Sequence, residues 1–154
     1  MITVNLEASI EEGWAKMRAA LADGIKLAVQ NAVREGAQEA RQVHRYKDRS
    51  GNLTRSIRGT LVSYDRDGAV GEIAADAKYA SFVEEGTRPH VINARPGKTL
   101  RWESEDGSVH FARSVNHPGT RSQPFMGPAY LRAERVLEAG INAAIASAEA
   151  ELTS

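Results

Sequence analysis

Apolar residues recur every three or four positions over two long stretches at the two ends of the chain. In the first stretch they are Ile10, Trp14, Met17, Leu21, Ile25, Ala28 and Ala32, continued by Val33, Ala37 and Ala40. In the second stretch they are Met126, Tyr130, Ala133, Leu137, Ile141, Ala144 and Ala148. This spacing places the apolar side chains on one face of an α-helix. The pattern therefore predicts two long helices, which either pair along their stripes or lie side by side on a sheet.

The first helix is expected to begin at a capping box formed by Ser9 and Glu12 and to run toward residue 45. Glycines interrupt its stripe at a cost of about 1 kcal/mol each, and the pair Asp23 and Gly24 allows a bend. Without a break, the helix would reach on the order of 50 Å, too long for a core of this size to cover. Part of it is therefore expected to be exposed or to pack on another subunit.

The stretch between the helices has the two-residue alternation of β-strands. Strands are predicted at 57–64 and 69–75 around a turn at 65–68, and a second hairpin at 100–103 and 109–114. Between the hairpins, Tyr79, Phe82 and Val83 form the apolar face of a helix of one or two turns. Gly86 ends this helix, and Pro89 forces an extended exit.

These elements predict an α+β fold, in which a small antiparallel sheet with an inserted short helix lies between the long helices and the C-terminal helix packs against the sheet. The 154 residues, 42% apolar and 26% charged, suit a single domain spanning 1–154 with loose ends at 1–8 and 150–154. Twenty basic and twenty acidic side chains cancel, so any contact with nucleic acid or an anionic membrane requires a local patch. Cysteine is absent, which excludes disulfides and thiolate sites. No stretch approaches the ~18 apolar residues of a membrane span.

The polar residues do not form a recognisable catalytic or metal-binding motif. The four histidines (His44, His90, His110 and His117) are scattered, without the spacing of a local ligand set. Glu84 and Glu85 diverge by roughly 100° on a helix and make a poor acid–base pair. We therefore expect no enzyme, no metal and no cofactor. A small hydrolase would require distant residues to converge in the fold.

A basic cluster follows the first helix and consists of Arg41, Arg45, Lys47 and Arg49. Cations at this end of a helix complement its dipole, which is the simpler interpretation. The alternative is a contact with DNA or an acidic partner, which would make the chain a small nucleic-acid-binding module.

Two proline-bearing segments, 86–98 and 117–125, are rich in Arg, Gly and Thr and are expected to be loops, as is the connection 115–123. Loops of this length in a compact domain are usually functional or mobile. Their composition suits contacts with another protein better than catalysis. Plain flexible connectors would have a similar composition, so this alternative stays open.

Three blocks of the sequence resemble one family. The first runs from Ser50 to Ile57, the second contains Tyr79–Ala80 and Val83–Thr87, and the third runs from His117–Thr120 to Gln123–Met126 and Pro128–Ala129. They look like the tail-completion or head-tail joining proteins of long-tailed double-stranded DNA bacteriophages, the lambdoid gene-product-ten-like family. The family-motif positions are Tyr79, Ala80, Glu84, Glu85, Gly86, Thr87, Pro89, Gly119, Gln123, Pro124, Phe125 and Pro128.

The resemblance implies a structural virion protein of the neck or tail, assembled in the bacterial cytoplasm and without catalytic residues. It implies a ring of identical subunits, expected to be hexameric, around the DNA channel, with DNA near the ring. The implied partners are tail-tube, tail-terminator or head-completion proteins. Within this hypothesis, Glu85, Thr87, Gln123, Pro124 and Phe125 form a hinge region that fixes the two loops, and segments 88–98 and 115–123 contact neighbours.

Overall fold

The computed structural model describes residues 6–47, 50–104 and 106–152. The elements in chain order are α1 (Leu6–Gln42), α2 (Asn52–Ser56), β1 (Ile57–Asp65), β2 (Gly68–Ala75), α3 (Ala80–Glu85), β3 (His90–Asn93), β4 (Leu100–Glu103), β5 (Val109–Ala112), β6 (Ser114–His117) and α4 (Met126–Glu151). The predicted α+β class, with a long helix at each end and antiparallel strands between them, is confirmed.

The chain divides into two compact units. The helical unit comprises Met1–Ala80 and Pro124–Ser154, and the β-arm comprises Ser81–Gln123. The expectation of one domain spanning 1–154 stays a prediction.

The helical unit is built on α1 and α4, which run antiparallel along a seam of small residues. A Cβ atom added to Gly140 of α4 would lie 2.6 Å from the Cβ of Ala28, and a Cβ on Gly24 would collide with Ala144. Near the other end of the seam, a Cβ on Gly36 would lie 2.8 Å from the carbonyl oxygen of Ala129. The glycines therefore permit close approach of the two backbones, and α1 continues as one helix through the position where a bend was expected.

α1 starts earlier than the sequence predicts. It begins at Leu6, so Ser9 lies inside the helix and the capping box of Ser9 and Glu12 is wrong as a start signal. No glycine or proline precedes Ser9 to stop the helix, which explains the extension. The helices also reach into the expected loose ends, because α1 includes residues 6–8 and α4 includes Ala150 and Glu151.

The β1–β2 hairpin packs on α1 through Gly59 of β1 and Gly71 of β2. The strands pair antiparallel from Ile57↔Ala75 to Asp65↔Gly68, with an irregularity between Leu61 and Ser63. A Cβ on Gly71 would lie 2.7 Å from a methyl group of Val29. The predicted turn is present, since Asp65 Oδ1 accepts hydrogen bonds from the N–H groups of Asp67 at 2.8 Å and Gly68 at 3.0 Å.

The core of the helical unit lies between these elements and the connection after α1. Its largest fully buried side chains are Phe125, Leu53 and Ile57. Leu53 belongs to α2, a short helix that was not predicted, since Ser50, Gly51 and Asn52 are residue types that usually mark a loop. The ring of Phe125 packs edge-on against Tyr46, with 5.4 Å between centroids.

The β-arm consists of two short antiparallel ladders. β3 pairs with β6, from His90↔His117 to Asn93↔Ser114, and β4 pairs with β5, from Leu100↔Ala112 to Glu103↔Val109. The β4–β5 hairpin is as predicted, except that β5 ends at Ala112 and Ser114 already belongs to β6. The prediction of a loop over 115–123 is wrong at its start, because β6 extends to His117. Val115 and Ile92 face each other in a ladder whose partner strand is distant in sequence, so local patterns could not reveal it.

Candidate functional site

The base of the β-arm is closed by a pair of threonines, which we call the threonine clamp. Thr87 N–H donates to the Thr120 carbonyl at 3.0 Å, and Thr120 N–H donates to the Thr87 carbonyl at 3.1 Å. The two hydroxyl oxygens lie 3.0 Å apart, and Thr120 N–H also reaches Thr87 Oγ1 at 2.9 Å. The two segments predicted as separate loops are therefore joined at their bases.

The clamp requires glycine on both sides. Gly86 has φ of 76°, and a Cβ there would lie 2.5 Å from the Thr120 carbonyl oxygen. Gly119 has φ of 86°, and a Cβ there would collide with the Thr87 carbonyl oxygen and lie 2.9 Å from the Arg88 carbonyl carbon. Both positions combine a left-handed backbone with a close backbone neighbour, which only glycine tolerates. Two of the motif residues thus serve the geometry of one structural joint.

The carboxyl end of α3 is tied to the segment after the clamp. Ser122 Oγ donates to the Glu84 carbonyl at 2.7 Å, and Gln123 N–H donates to the Val83 carbonyl at 2.9 Å. These bonds satisfy carbonyl groups that a helix end leaves without an internal partner. The motif residues Glu84, Gly86, Thr87, Gly119 and Gln123 are therefore close together within the β-arm.

The other family-motif residues have different environments. Ala80 and Phe125 are buried, Pro128 is half-buried in the first turn of α4, and Tyr79, Glu85, Pro89 and Pro124 are exposed. The predicted hinge region of Glu85, Thr87, Gln123, Pro124 and Phe125 draws on both units, and its hinge role stays a prediction.

Beyond the clamp, the β-arm exposes large apolar side chains. Phe111 of β5 is 64% exposed, and Val91 and Val109 are also exposed. Phe82 of α3 is exposed as well, so the apolar face predicted for the short helix is only partly covered. Trp102 stacks on His110 across β4 and β5 with 5.2 Å between ring centroids.

The helical unit has an apolar cleft of about 690 Å³ among α1, β2 and the first turns of α4. Its walls include Val33, Ile73, Ala133 and Leu137, and Glu134 is the only charged residue among the described residues that line it. At its rim, Val70 is 57% exposed and Tyr130 is 65% exposed. The apolar stripe of the second helix predicts a buried Tyr130, but its side chain is exposed. The small residues beside it, Ala129 and Ala133, leave the cleft open.

The basic cluster after α1 is in part structural. Arg41 donates to the Ile57 carbonyl through Nη2 at 2.6 Å and through Nε at 3.1 Å, which joins the end of α1 to the start of β1. Arg45 and Lys47 are exposed, and Arg49 lies outside the described residues. His44, beside them, stacks on Tyr46 with 3.9 Å between ring centroids. A contact of this cluster with DNA or an acidic partner stays a prediction.

The described part of the chain has neither a candidate metal site nor a candidate membrane-spanning helix. Residues 6–47, 50–104 and 106–152 contain no group of three or more His, Asp or Glu side chains placed to hold a metal ion. Within the same ranges, no helix is both long enough and apolar enough to cross a membrane.

A comparison with protein families identifies the chain. Residues 8–86, just over half of the 154, match the family model described as "Bacteriophage HK97-gp10, putative tail-component". The chain belongs to the HK97-gp10-like family. Neither a search of curated proteins nor a search of solved structures gave a match.

The matched range contains the first of the three blocks that carry the resemblance and most of the second. It includes α1, the β1–β2 hairpin and α3, with the blocks at Ser50–Ile57 and Tyr79–Gly86. The third block, with Gly119, Gln123 and Phe125, lies beyond it. Membership of the HK97-gp10-like family indicates a structural component of the bacteriophage tail and hence of the virion.

Proposed function

We propose that this HK97-gp10-like protein completes the tail or joins it to the head, acting in the phage neck as a closed ring of identical subunits around the DNA channel. Family membership supports the tail assignment. The observation that carries the ring is the uncovered apolar surface of the described residues: a concave cleft on the helical unit and projecting side chains on the β-arm.

These two apolar surfaces differ in shape and composition. The cleft is formed by packed helices and one strand, whereas the β-arm presents single side chains such as Phe111 and Val109 on a narrow hairpin. Contacts between two different patches are heterologous, and heterologous contacts close into rings when the rotation between neighbours permits. Contiguous apolar patches left exposed on a folded chain usually mark interaction surfaces.

Oligomer formation tests the ring. Tyr130→Asp places a charge at the cleft rim, and Phe111→Asp does the same on the β-arm. We expect either change to abolish oligomers of the purified protein, as measured by light scattering over a range of concentrations. Ser147→Asp, at an exposed position of α4, is the matched control and keeps the oligomer.

If the wild-type protein forms no closed oligomer alone, the same variants are compared in the presence of purified tails. Rings at the tail end, seen by electron microscopy with wild-type protein and not with Tyr130→Asp, support the proposal. Binding of single copies, or equal binding by all variants, contradicts it.

The neck role has its own assay. Deletion of the gene from the encoding phage or prophage is expected to leave DNA-filled heads and finished tube polymers that do not join. Adding the purified protein to such lysates restores infectious particles. Accumulation of heads without DNA would instead place the defect earlier, in head assembly.

The expected partners follow from this location: tail-tube, tail-terminator and head-completion proteins. Segments 88–98 and 115–123 of the β-arm are the proposed contact regions. The arm is suited to this task, since its root is tied by the threonine clamp while its strands remain exposed on both faces.

A further inference from the structure

Two stretches of the β-arm carry charge of one sign, while the five acidic residues of the arm, Glu84, Glu85, Glu103, Glu105 and Asp106, lie outside them. Residues 86–102 and 107–123 contain six cationic side chains and neither Asp nor Glu: Arg88, Arg95, Lys98, Arg101, Arg113 and Arg121. The whole chain has twenty basic and twenty acidic residues, so this separation is local. A neutral protein can bind a polyanion only through such a patch.

Three of these cations surround one depression. Arg95, Lys98 and Arg113 line a space of about 380 Å³, together with Ala94, Pro96, Gly97 and Thr99. Among the described residues, none of those that line this space carries a carboxylate. All three cationic side chains are exposed, and none has an ion-pair partner in the part of the chain that the structure describes.

The backbone holds these side chains around the depression. Ala94 N–H donates to the Arg113 carbonyl at 2.8 Å, which continues the β3–β6 pairing by one step. Lys98 N–H donates to the Arg95 carbonyl at 3.0 Å and closes a turn between β3 and β4. Arg95, Lys98 and Arg113 therefore lie on hydrogen-bonded backbone, which keeps their three positive charges near one another. Like charges that are held close together repel one another.

We propose that this depression, which we call the Arg95 site, binds the phosphate groups of duplex DNA. Two guanidinium groups can each hold a phosphate through paired hydrogen bonds, and an ammonium adds a point charge. An incoming anion also relieves the repulsion among the three cations. The site is distinct from the basic cluster at Arg41–Arg49.

The distribution of the other arm cations favours DNA over an acidic protein. Arg101 lies beyond the depression on β4, and Arg88 and Arg121 lie next to the threonine clamp, so cations occur at several points of the arm, whereas residues 103–106 include three acidic ones. Duplex DNA offers a charge for about every 1.7 Å of its axis, so it can meet several separated cations at once. An acidic patch on a folded protein is usually local and would leave most of them unmatched.

Binding by the intact protein tests the proposal. A fluorescently labelled duplex of about 30 base pairs is titrated at about 50 mM and about 200 mM salt, and anisotropy is measured. The variant Arg95→Gln/Lys98→Gln/Arg113→Gln is expected to bind roughly tenfold or more weakly. Its salt slope, log K against log salt concentration, is expected to be smaller by about 3, at about 0.9 per lost phosphate contact.

The matched control removes the same charge elsewhere. Arg18→Gln/Lys78→Gln/Arg135→Gln changes three exposed cations of the helical unit outside the basic cluster and is expected to keep wild-type affinity. Arg95→Lys/Arg113→Lys keeps the charge, and its salt slope is expected to equal that of wild type. Circular dichroism confirms that each variant is folded.

Three results would overturn the proposal. They are absence of DNA binding by the wild type at the lower salt concentration, an equal loss in the arm variant and its control, and tighter binding of polyglutamate than of DNA at equal charge. The last result would assign the Arg95 site to an acidic protein partner. The oligomeric state is measured in the same samples, so failure of DNA binding leaves the proposed ring to be judged by its own assay.

Discussion

Replacement of Phe125 by alanine tests whether this side chain, immediately before α4, is a main part of the apolar core of the helical unit. Phe125 is 1% exposed, lies immediately before the first residue of α4 and packs edge-on against Tyr46. Alanine at this position removes the ring and leaves the surrounding side chains with a space to fill.

The expected loss in the free energy of unfolding is about 3–5 kcal/mol. Full burial of a phenylalanine side chain is worth about 1.5–3 kcal/mol. The aromatic pair with Tyr46 adds about 0.5–1.5 kcal/mol, and incomplete collapse of the cavity accounts for the remainder. For a chain of this size, each kcal/mol lowers the melting temperature by roughly 2–4 °C, so a fall of roughly 6–20 °C is expected.

Urea denaturation followed by far-ultraviolet circular dichroism measures this loss, because most of the helical signal comes from α1 and α4. Phe111→Ala is the matched control, since it deletes the same atoms from a side chain that is 64% exposed, and it should change the stability by less than about 1 kcal/mol. A Phe125→Ala protein within about 0.5 kcal/mol of wild type would refute the assignment of Phe125 to the core.

Three further predictions concern single interactions. Arg41→Met is expected to lower the free energy of unfolding, measured by urea denaturation, by about 1–3 kcal/mol, because the Ile57 carbonyl loses the hydrogen bonds from Arg41. The control Arg45→Met is expected to stay within about 0.5 kcal/mol of wild type. Equal effects of the two changes would contradict the structural role of Arg41. Gly140→Val is expected to destabilise the helical unit by about 1–3 kcal/mol and Gly140→Ala by less, and a more stable valine variant would show that the seam is not tightly packed. The N–H of Ser108, followed by its hydroxyl group, lowers the pKa of Asp106, so this turn is more stable above the unfolded-state pKa and loses that contribution as pH falls through the folded-state pKa. NMR titration should give a pKa for Asp106 that rises only partway to its ordinary value in Ser108→Ala; no rise would contradict the hydroxyl's part in lowering the pKa.

Patterns that act over a few residues predicted much of this fold. The apolar stripes located both long helices, and the turn at Asp65–Gly68 located the first hairpin. Gly86 ends α3 with a left-handed backbone, as expected from a glycine after a short helical pattern. In each case the signal and its structural result lie within one element.

Features that depend on distant partners were not predictable in the same way. β6 exists because Val115 meets Ile92, and the threonine clamp joins residues that are 33 positions apart. Gly24 and Gly36 of α1 were interpreted as weak points, because the residues of α4 that they contact, Ala144 and Ala129, lie 120 and 93 positions away in sequence.

The Arg95 site was missed although its signal is present in the sequence. The absence of acidic residues over 86–102 and 107–123 is visible by inspection, but the count of charges over the whole chain conceals it. The cations come together only when β3 and β6 pair and bring Arg113 beside Arg95 and Lys98. A charge count over the predicted loop 86–98, which holds Arg88, Arg95 and Lys98 and no acidic residue, would have found part of the stretch, though not the depression.

The seam between α1 and α4 gives this protein an unusual tolerance profile. Among the residues that the structure describes, eight of the fourteen buried apolar ones are alanines, and those in the seam have few side-chain atoms to lose, whereas a methyl group added to Gly24, Gly36 or Gly140 meets the backbone of the facing helix. Harmful changes along the seam are therefore those that enlarge a residue. The outward faces of the same two helices are free of this restriction, so larger residues are expected to be tolerated there.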